Sequence, residues 1–244
     1  MPNVTADSDG SFDDGQLVKS HSTPDAARNS SSGTYTSSGS LLGCMHGAVF
    51  GSEIIYRTIV SFDLSSNDDN GDSLSGNTVS SADLVMTTNP NATGFASFTA
   101  NTNNLVYVCK STENTAIDGD TYSALDGYVS SGSYDGEVTV YATANEAVST
   151  SITFSLSSDC IADINTQIAA GGRVTMMLLC QDDFLYNVSP GGIGSPTGGA
   201  GTFKFEGVRF DAAEDSTASN RPRLELTYGA AAATDNATFF GTNF

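Results

Sequence analysis

Residues 53–64 read EIIYRTIVSFDL, a run of β-branched and aromatic residues interrupted by one arginine. Successive side chains of a β-strand point to opposite faces of its sheet. This run therefore places Ile55 and Arg57 on one face and Tyr56 and Phe62 on the other. Both faces carry large apolar side chains, which predicts a strand buried within a β-sheet protein.

Further apolar runs surround this strand. Residues 41–50 read LLGCMHGAVF, and together with residues 53–64 they predict a β-hairpin joined near Gly51 and Ser52. The remaining candidates are separated by Gly, Asn and Asp clusters, and they read VSSADLVMTT, ATGFASF, LVYVCKS, GEVTVYAT, VSTSITFSL, RVTMMLLC, TFKFEGVRF and PRLELTY. Many short strands with this punctuation predict an all-β fold, a jelly-roll-like antiparallel β-sandwich.

One helix is predicted at residues 157–172, SSDCIADINTQIAAGG. Ser158 is the candidate N-cap, and Gly171 is the candidate stop signal. Three isoleucines share one face of this helix: Ile161, Ile164 and Ile168. The segment therefore predicts one short crossover helix between strands.

The chain divides into three segments by composition. Residues 1–39 are polar and rich in turn formers, which predicts an extended N-terminal arm with little core of its own and one short strand at 16–20. Residues 40–228 form the predicted sandwich, and residues 229–244 a tail that ends in Phe239, Phe240 and Phe244. Exposing these rings costs about 1.5–3 kcal/mol each. We expect them either to fold back onto the sandwich or to make assembly contacts with a neighbouring subunit.

The charge balance narrows the choice of partners. The 244 residues carry 9 basic and 28 acidic side chains, a net charge of −19. Phosphate backbones and anionic lipids would be repelled, which disfavours nucleic acid and membrane partners. No apolar run approaches the length of about 20 residues that crosses a bilayer, and the opening MPNVTADSDG lacks the features of a classical export signal.

The strong catalytic signatures are missing from the sequence. It contains no G-x-S-x-G elbow, no phosphate-binding GxxxxGK[ST] loop and no HExxH pair. Two histidines, His21 and His46, are available for acid–base chemistry near neutral pH, and neither has the spacing of a triad. We therefore expect a protein that is not an enzyme and that needs no cofactor.

Two kinds of metal site are considered. Cys44 and His46 share a strand face, and they would begin a metal site if Cys109 or Cys180 came near; a packed or half-exposed histidine is the alternative. Calcium prefers carboxylate oxygens. Its candidates are Asp7, Asp9, Asp13 and Asp14; Asp68, Asp69 and Asp72; Asp118 and Asp120; and Asp182 and Asp183. Turns and solvated acids are the alternative for these clusters.

Four motifs carry a family resemblance: YRTIVSFDLSS at 56–66, TVSSADLVM at 78–86, the helix followed by GGRVTMMLL, and RPRLELTY at 221–228. The chain resembles the disaggregatase-related DNRLRE-type β-sandwich domains over about residues 40–228. The matching positions are Arg57, Phe62, Asp63, Leu64, Ala82, Leu84, Pro222, Arg223, Leu224, Thr227 and Tyr228. Many relatives carry tryptophan before and within the helix segment, whereas this chain has none.

Arg57 and Arg223 are the candidate structural residues. An arginine in an apolar strand must satisfy five N–H donors, on a carboxylate or on carbonyl groups. We therefore expect Arg57 to be a structural clamp at the edge of the sandwich, and Arg223 to serve likewise.

Three classes of function remain. The composition is typical of proteins exposed outside cells, yet the sequence has no export signal. This combination favours a virion structural protein of a bacteriophage, such as a head decoration, cement or tail-associated protein. We expect such a protein to be a homo-oligomer and to bind other virion proteins such as the major capsid protein. The second class is an extracellular carbohydrate-binding module or adhesin, which the resemblance favours because such domains accompany polysaccharide enzymes. Sugar sites commonly use tryptophan, which this chain lacks. An enzyme is the third class, and the missing motifs disfavour it.

Overall fold

The computed structural model describes residues 2–6, 14–37, 41–49, 52–89, 98–99, 105–113, 116–146, 151–185 and 203–230. The strands are β1 (Asn3–Thr5), β2 (Gly15–His21), β3 (Thr34–Thr36), β4 (Leu41–Val49), β5 (Ser52–Asp63), β6 (Asn77–Thr87), β7 (Phe98–Thr99), β8 (Leu105–Lys110), β9 (Val140–Asn145), β10 (Ser151–Ser155), β11 (Arg173–Cys180), β12 (Phe203–Asp211) and β13 (Arg223–Ala230). The helices are α1 (Pro24–Arg28), α2 (Ser158–Ala170) and α3 (Gln181–Leu185), with short 3-10 helices at Gly119–Ser123 and Ala218–Asn220. Among these residues, no helix combines the length and the apolar character needed to cross a membrane.

The strands form two sheets. The small sheet has four strands in the order β1-β13-β6-β10. The large sheet has nine strands: seven follow the order β7-β12-β4-β5-β11-β8-β9, and β2 and β3 join it through β5. All the pairings are antiparallel except that of β7 with β12. The prediction of an all-β sandwich is confirmed, and its jelly-roll character stays a prediction.

The main core lies between the two sheets. The large sheet contributes Val60 and Phe62 from β5, and the small sheet contributes Leu84 and Phe154, all of which are buried. Helix α2 connects β10 of the small sheet to β11 of the large sheet and adds Ile164 to this core. The helix is therefore a crossover element, as predicted.

A second core covers the opposite face of the large sheet. Ile55 and Ile59 of β5 point to this side and are buried there. They lie beneath residues 22–37 and 116–139, which we call the cover and which contribute Tyr122 and Tyr134. The two cores explain why residues 53–64 are apolar on both faces.

The N-terminal segment differs from the predicted arm. Strand β1 pairs with β13, and β2 pairs with β5 in a register that places Leu17 opposite Arg57. Leu17 is fully buried, because alternation along GQLVKSH directs it under the cover. The described part of residues 1–39 therefore belongs to both sheets instead of extending away from them. Phe239, Phe240 and Phe244 lie outside the described residues.

The helix begins one residue earlier than its predicted cap implied. Ser157, not Ser158, is the N-cap: its backbone is extended and its hydroxyl accepts a hydrogen bond from the Cys160 amide. Gly171 ends the helix in the left-handed conformation, as predicted.

Candidate functional site

Arg57 is fully buried, and each of its three guanidinium nitrogens donates a hydrogen bond. Its Nε and one terminal nitrogen donate to the two carboxylate oxygens of Asp183 at 2.7 and 2.8 Å. The same terminal nitrogen also lies within hydrogen-bond distance of the Arg28 carbonyl, at 3.2 Å, and of the Tyr134 hydroxyl, at 3.0 Å. The second terminal nitrogen donates to the Tyr122 carbonyl. These partners are the carboxylate and carbonyls that a structural clamp requires.

The clamp contains a second arginine and two aromatic rings. The buried Arg28 donates from Nε to the backbone carbonyl of Asp183 at 2.7 Å and lies 3.6 Å from its carboxylate. Arg28 also stacks over the Tyr134 ring at 3.8 Å, and Arg57 stacks over the Tyr122 ring at 4.0 Å. We call these five residues the clamp: Arg28, Arg57, Tyr122, Tyr134 and Asp183. It fastens both segments of the cover to the large sheet.

The clamp lies inside the protein, so the predicted position of Arg57 at the sandwich edge is wrong. Strand β5 pairs with β2, β4 and β11, which surround Arg57 with neighbouring strands. Burial alone would lower the pKa of Arg57, but Asp183 outweighs it and raises that pKa well above its ordinary value. Arg57 therefore stays charged, and its charge is neutralised within the protein.

Arg223 makes a weaker set of contacts. It donates from Nε to Glu225 at 2.9 Å and from a terminal nitrogen to the Ser219 carbonyl at 3.2 Å. Its side chain is 25% exposed, against 0% for Arg57. Arg223 thus ties a turn to β13 at the surface, where ion pairs contribute little to stability.

His46 forms a second buried charged group. Its Nε2 lies 3.1 Å from Glu53, and its Nδ1 lies 3.6 Å from Asp182. Burial alone would lower the pKa of His46, but the two carboxylates outweigh it and raise the pKa to about 9. His46 is therefore protonated at neutral pH, and helix α3 supplies adjacent aspartates to two separate groups of buried cations.

The His46 pair predicts a pH-dependent stability. The pKa in the folded state lies above the ordinary value of 6.5, so the stabilisation is complete below pH 6.5 and is lost as the pH rises through about 9. We expect the free energy of unfolding to fall by about 3 kcal/mol over this range, which is what a rise of the pKa from 6.5 to about 9 represents. Urea titrations at a series of pH values measure this change. The variant His46→Gln should lack it, and an identical pH profile in that variant would contradict the assignment.

The cysteine and histidine candidates do not form a metal site in the described part of the chain. Cys44, Cys109, Cys160 and Cys180 are all buried and free, and burial raises the pKa of each thiol. No group of three or more metal-ligating side chains that could hold an ion occurs among the described residues. His46 is occupied by its two carboxylates instead.

The acidic cluster at Asp68 forms a turn. One oxygen of Asp68 accepts hydrogen bonds from the amides of Asn70 and Asp72, both at 2.9 Å, and the other accepts from the Tyr228 hydroxyl at 3.1 Å. Asp69 accepts from the amide and hydroxyl of Thr5. These contacts are those of turn chemistry, the alternative to calcium at this loop.

The other acidic candidates are dispersed. Asp118 caps the 3-10 helix that follows it and that contains Asp120, and Asp14 accepts from the Ala213 amide at 2.8 Å. Asp182 and Asp183 hold the buried cations described above. Asp7, Asp9 and Asp13 lie outside the described residues.

A cleft that the sequence analysis missed lies beside helix α2. It has two adjoining lobes of about 410 and 310 Å³, which share Glu113, Gln167 and Arg173. Residues from β5, β8, β9, β11 and α2 line it, far apart in the sequence. Locally, the sequence indicates only that polar residues follow or precede apolar strands at these positions. Ordinary turns show the same pattern, so it does not predict a cleft.

The geometry defines an all-β sandwich with two buried groups of paired charges, the clamp and His46 with its two carboxylates. A scan against models of known protein families found no match, and a search of curated proteins found none either.

Proposed function

We propose that this chain is a non-enzymatic structural protein of a virus particle, of the head-decoration, cement or tail-associated kind. Its partners are neighbouring virion proteins such as the major capsid protein, and further copies of itself. The observation that carries the proposal is the clamp, in which two buried arginines and Asp183 contact each other and the cover. These charged groups hold the cover on the large sheet, so that the two move as one body. Such a body suits a protein that fills a fixed position in an assembly.

The outer face of the small sheet also supports an assembly role. It carries Ser151, Thr153 and Ser155 on β10, next to outward residues of β6 and β13 such as Asp83 and Thr227. Short hydroxyl side chains lose little conformational entropy when a partner covers them. The described outward residues of this sheet include no aromatic ring, so the face lacks a platform on which sugars could stack.

Sedimentation of native material tests the proposal. The native source is separated on a density gradient after nuclease treatment and a high-salt wash, and each fraction is quantified by peptide mass spectrometry. We expect this chain in the particle fraction, at a fixed ratio to the major capsid protein. Recovery only from the soluble or cell-surface fraction would reject the virion role.

Glycan binding by an extracellular module is the second candidate function. The observation that favours it is the polar cleft beside α2. In the part of the chain that the structure describes, neither face of the sandwich offers exposed aromatic residues on which a sugar could stack. The large sheet is closed by the cover, and the small sheet carries hydroxyl groups. A sugar would therefore have to bind through hydrogen bonds in the cleft.

A further inference from the structure

The cleft is lined by polar groups of both charges. Its carboxylates are Asp63, Glu113 and Asp163, and its cations are Lys110 and Arg173. Hydroxyl groups, one amide, Gly171, Gly172 and Val174 make up the rest of the lining. The larger lobe, at about 410 Å³, falls within the range of about 300–1,000 Å³ that small-molecule sites occupy.

The walls of the cleft are held by contacts within the protein. Asp163 accepts at the same carboxylate oxygen from Lys110 at 2.9 Å and from the Tyr141 hydroxyl. Glu113 accepts from the Thr121 hydroxyl at 3.2 Å and from the Ala116 amide at 3.4 Å. These contacts fix the polar groups before any ligand arrives, which lowers the entropic cost of binding.

The lining discriminates between ligand classes. Three carboxylates and the overall charge of −19 disfavour phosphates and other anions. Lys110 and Arg173 disfavour cations, and the five charged side chains on the walls would have to be desolvated by a hydrophobic molecule, which disfavours that class as well. A hydroxyl group both donates and accepts hydrogen bonds, so it can pair with a carboxylate, an amide or a guanidinium.

We infer that the cleft between α2 and the start of β11 binds a neutral polyhydroxylated ligand, a sugar unit of a glycan. Glu113, Gln167 and Arg173, which border both lobes, contact its hydroxyl groups. Tyr141 is only 2% exposed, so the sugar is held by hydrogen bonds and not by stacking. This inference rests on the second candidate function and is independent of the proposed virion role.

Gly172 leaves room for the Gln167 side chain, which borders both lobes of the cleft. A Cβ atom at residue 172 would lie 2.2 Å from Gln167 Oε1. The atom it would meet is the end of a flexible side chain, so Gly172→Ala should turn the amide away without unfolding the protein. This variant tests the position of Gln167 without removing it.

Glycan binding by the intact chain tests the inference. The full-length protein is applied to an array of neutral and acidic glycans, and the strongest neutral glycan is then titrated by calorimetry. We expect a neutral glycan to bind, and we expect Gln167→Ala, Glu113→Gln and Gly172→Ala each to weaken its affinity at least tenfold. The control Thr166→Ala, on the exposed side of the same helix, should bind as the unsubstituted protein does.

Several outcomes would overturn the inference. Binding of no neutral glycan, or of acidic glycans only, would remove the ligand class. Binding that survives all three cleft substitutions would place the glycan elsewhere on the protein. Thermal melting of each variant checks folding, and a melting temperature equal to that of the unsubstituted protein assigns any lost affinity to the cleft. Sedimentation with particles is measured separately, so an absence of glycan binding would not contradict the virion proposal.

Discussion

Replacing Asp183 with asparagine is expected to lower the free energy of unfolding by about 3–5 kcal/mol, the usual cost of removing one partner of a buried ion pair. The asparagine side chain would keep the shape of the aspartate but remove the negative charge that faces both Arg57 and Arg28, each 0% exposed. Two buried guanidinium groups would then lack this counter-ion. Equilibrium unfolding in urea measures the loss.

The matched control is Glu225→Gln, the same kind of substitution in the ion pair of Arg223. This pair is 20–25% exposed, and exposed pairs contribute about 0–1 kcal/mol. We therefore expect a small effect from Glu225→Gln. Equal losses in the two variants would show that the burial of the clamp does not determine its contribution.

The second large effect is expected for Gly127→Ala, in the cover. Gly127 has a φ of 86°, and a Cβ atom there would lie 1.9 Å from the Glu137 carbonyl oxygen. The backbone cannot relieve this collision without moving the segment that includes Val138. We expect a loss of about 2–5 kcal/mol, from about 1–2 kcal/mol for the left-handed conformation and about 1–3 kcal/mol for overpacking.

Gly132→Ala separates these two costs. Gly132 has a φ of 88°, nearly that of Gly127, but nothing lies within 4 Å of the added Cβ atom. This variant should lose only the conformational part, about 1–2 kcal/mol. If the two variants unfold at the same urea concentration, then the close packing of residues 127 and 137 contributes nothing.

Much of the fold could be predicted from local patterns. The alternation in residues 53–64 indicated a buried strand, and the structure gives β5 with a core on each face. The isoleucine spacing and Gly171 located helix α2, although the cap is at Ser157. These features depend on neighbours within a few residues, which the sequence displays directly.

The clamp could be predicted only in part. An arginine within an apolar strand requires a partner, but Asp183 lies 126 residues further along the chain, in a segment that resembles an ordinary turn. Tyr122 and Tyr134 lie in a region rich in Gly, Ser and Asp, whose composition gave no sign that it packs onto a sheet. Such pairings depend on the tertiary arrangement, so strand patterns do not reveal them.

The N-terminal segment shows the same limit. The strand predicted at 16–20 is present as β2, but the polar composition of residues 1–39 suggested an arm separate from the sandwich. The pairing of β1 and β2 with the two sheets and the burial of Val4, Leu17 and Ala27 incorporate it. Average polarity therefore says little about a segment that joins the sheets through backbone pairing and a few buried apolar residues.

The buried charged residues of this protein hold its secondary-structure elements together. Helix α3 places Asp182 beside His46 and Asp183 beside two arginines, and the cover closes over the second group. These buried charged groups thus contact each other. In the cleft beside α2, by contrast, polar groups of both charges face solvent.

Native-state hydrogen exchange tests most directly whether the clamp fastens the cover to the large sheet. The amides of residues 116–139 are followed by mass spectrometry in the unsubstituted protein and in Asp183→Asn. We predict that exchange in this segment becomes at least tenfold faster in the variant, while β6 and β10 of the small sheet keep their protection. Equal exchange of residues 116–139 in the two proteins would contradict the role assigned to the clamp.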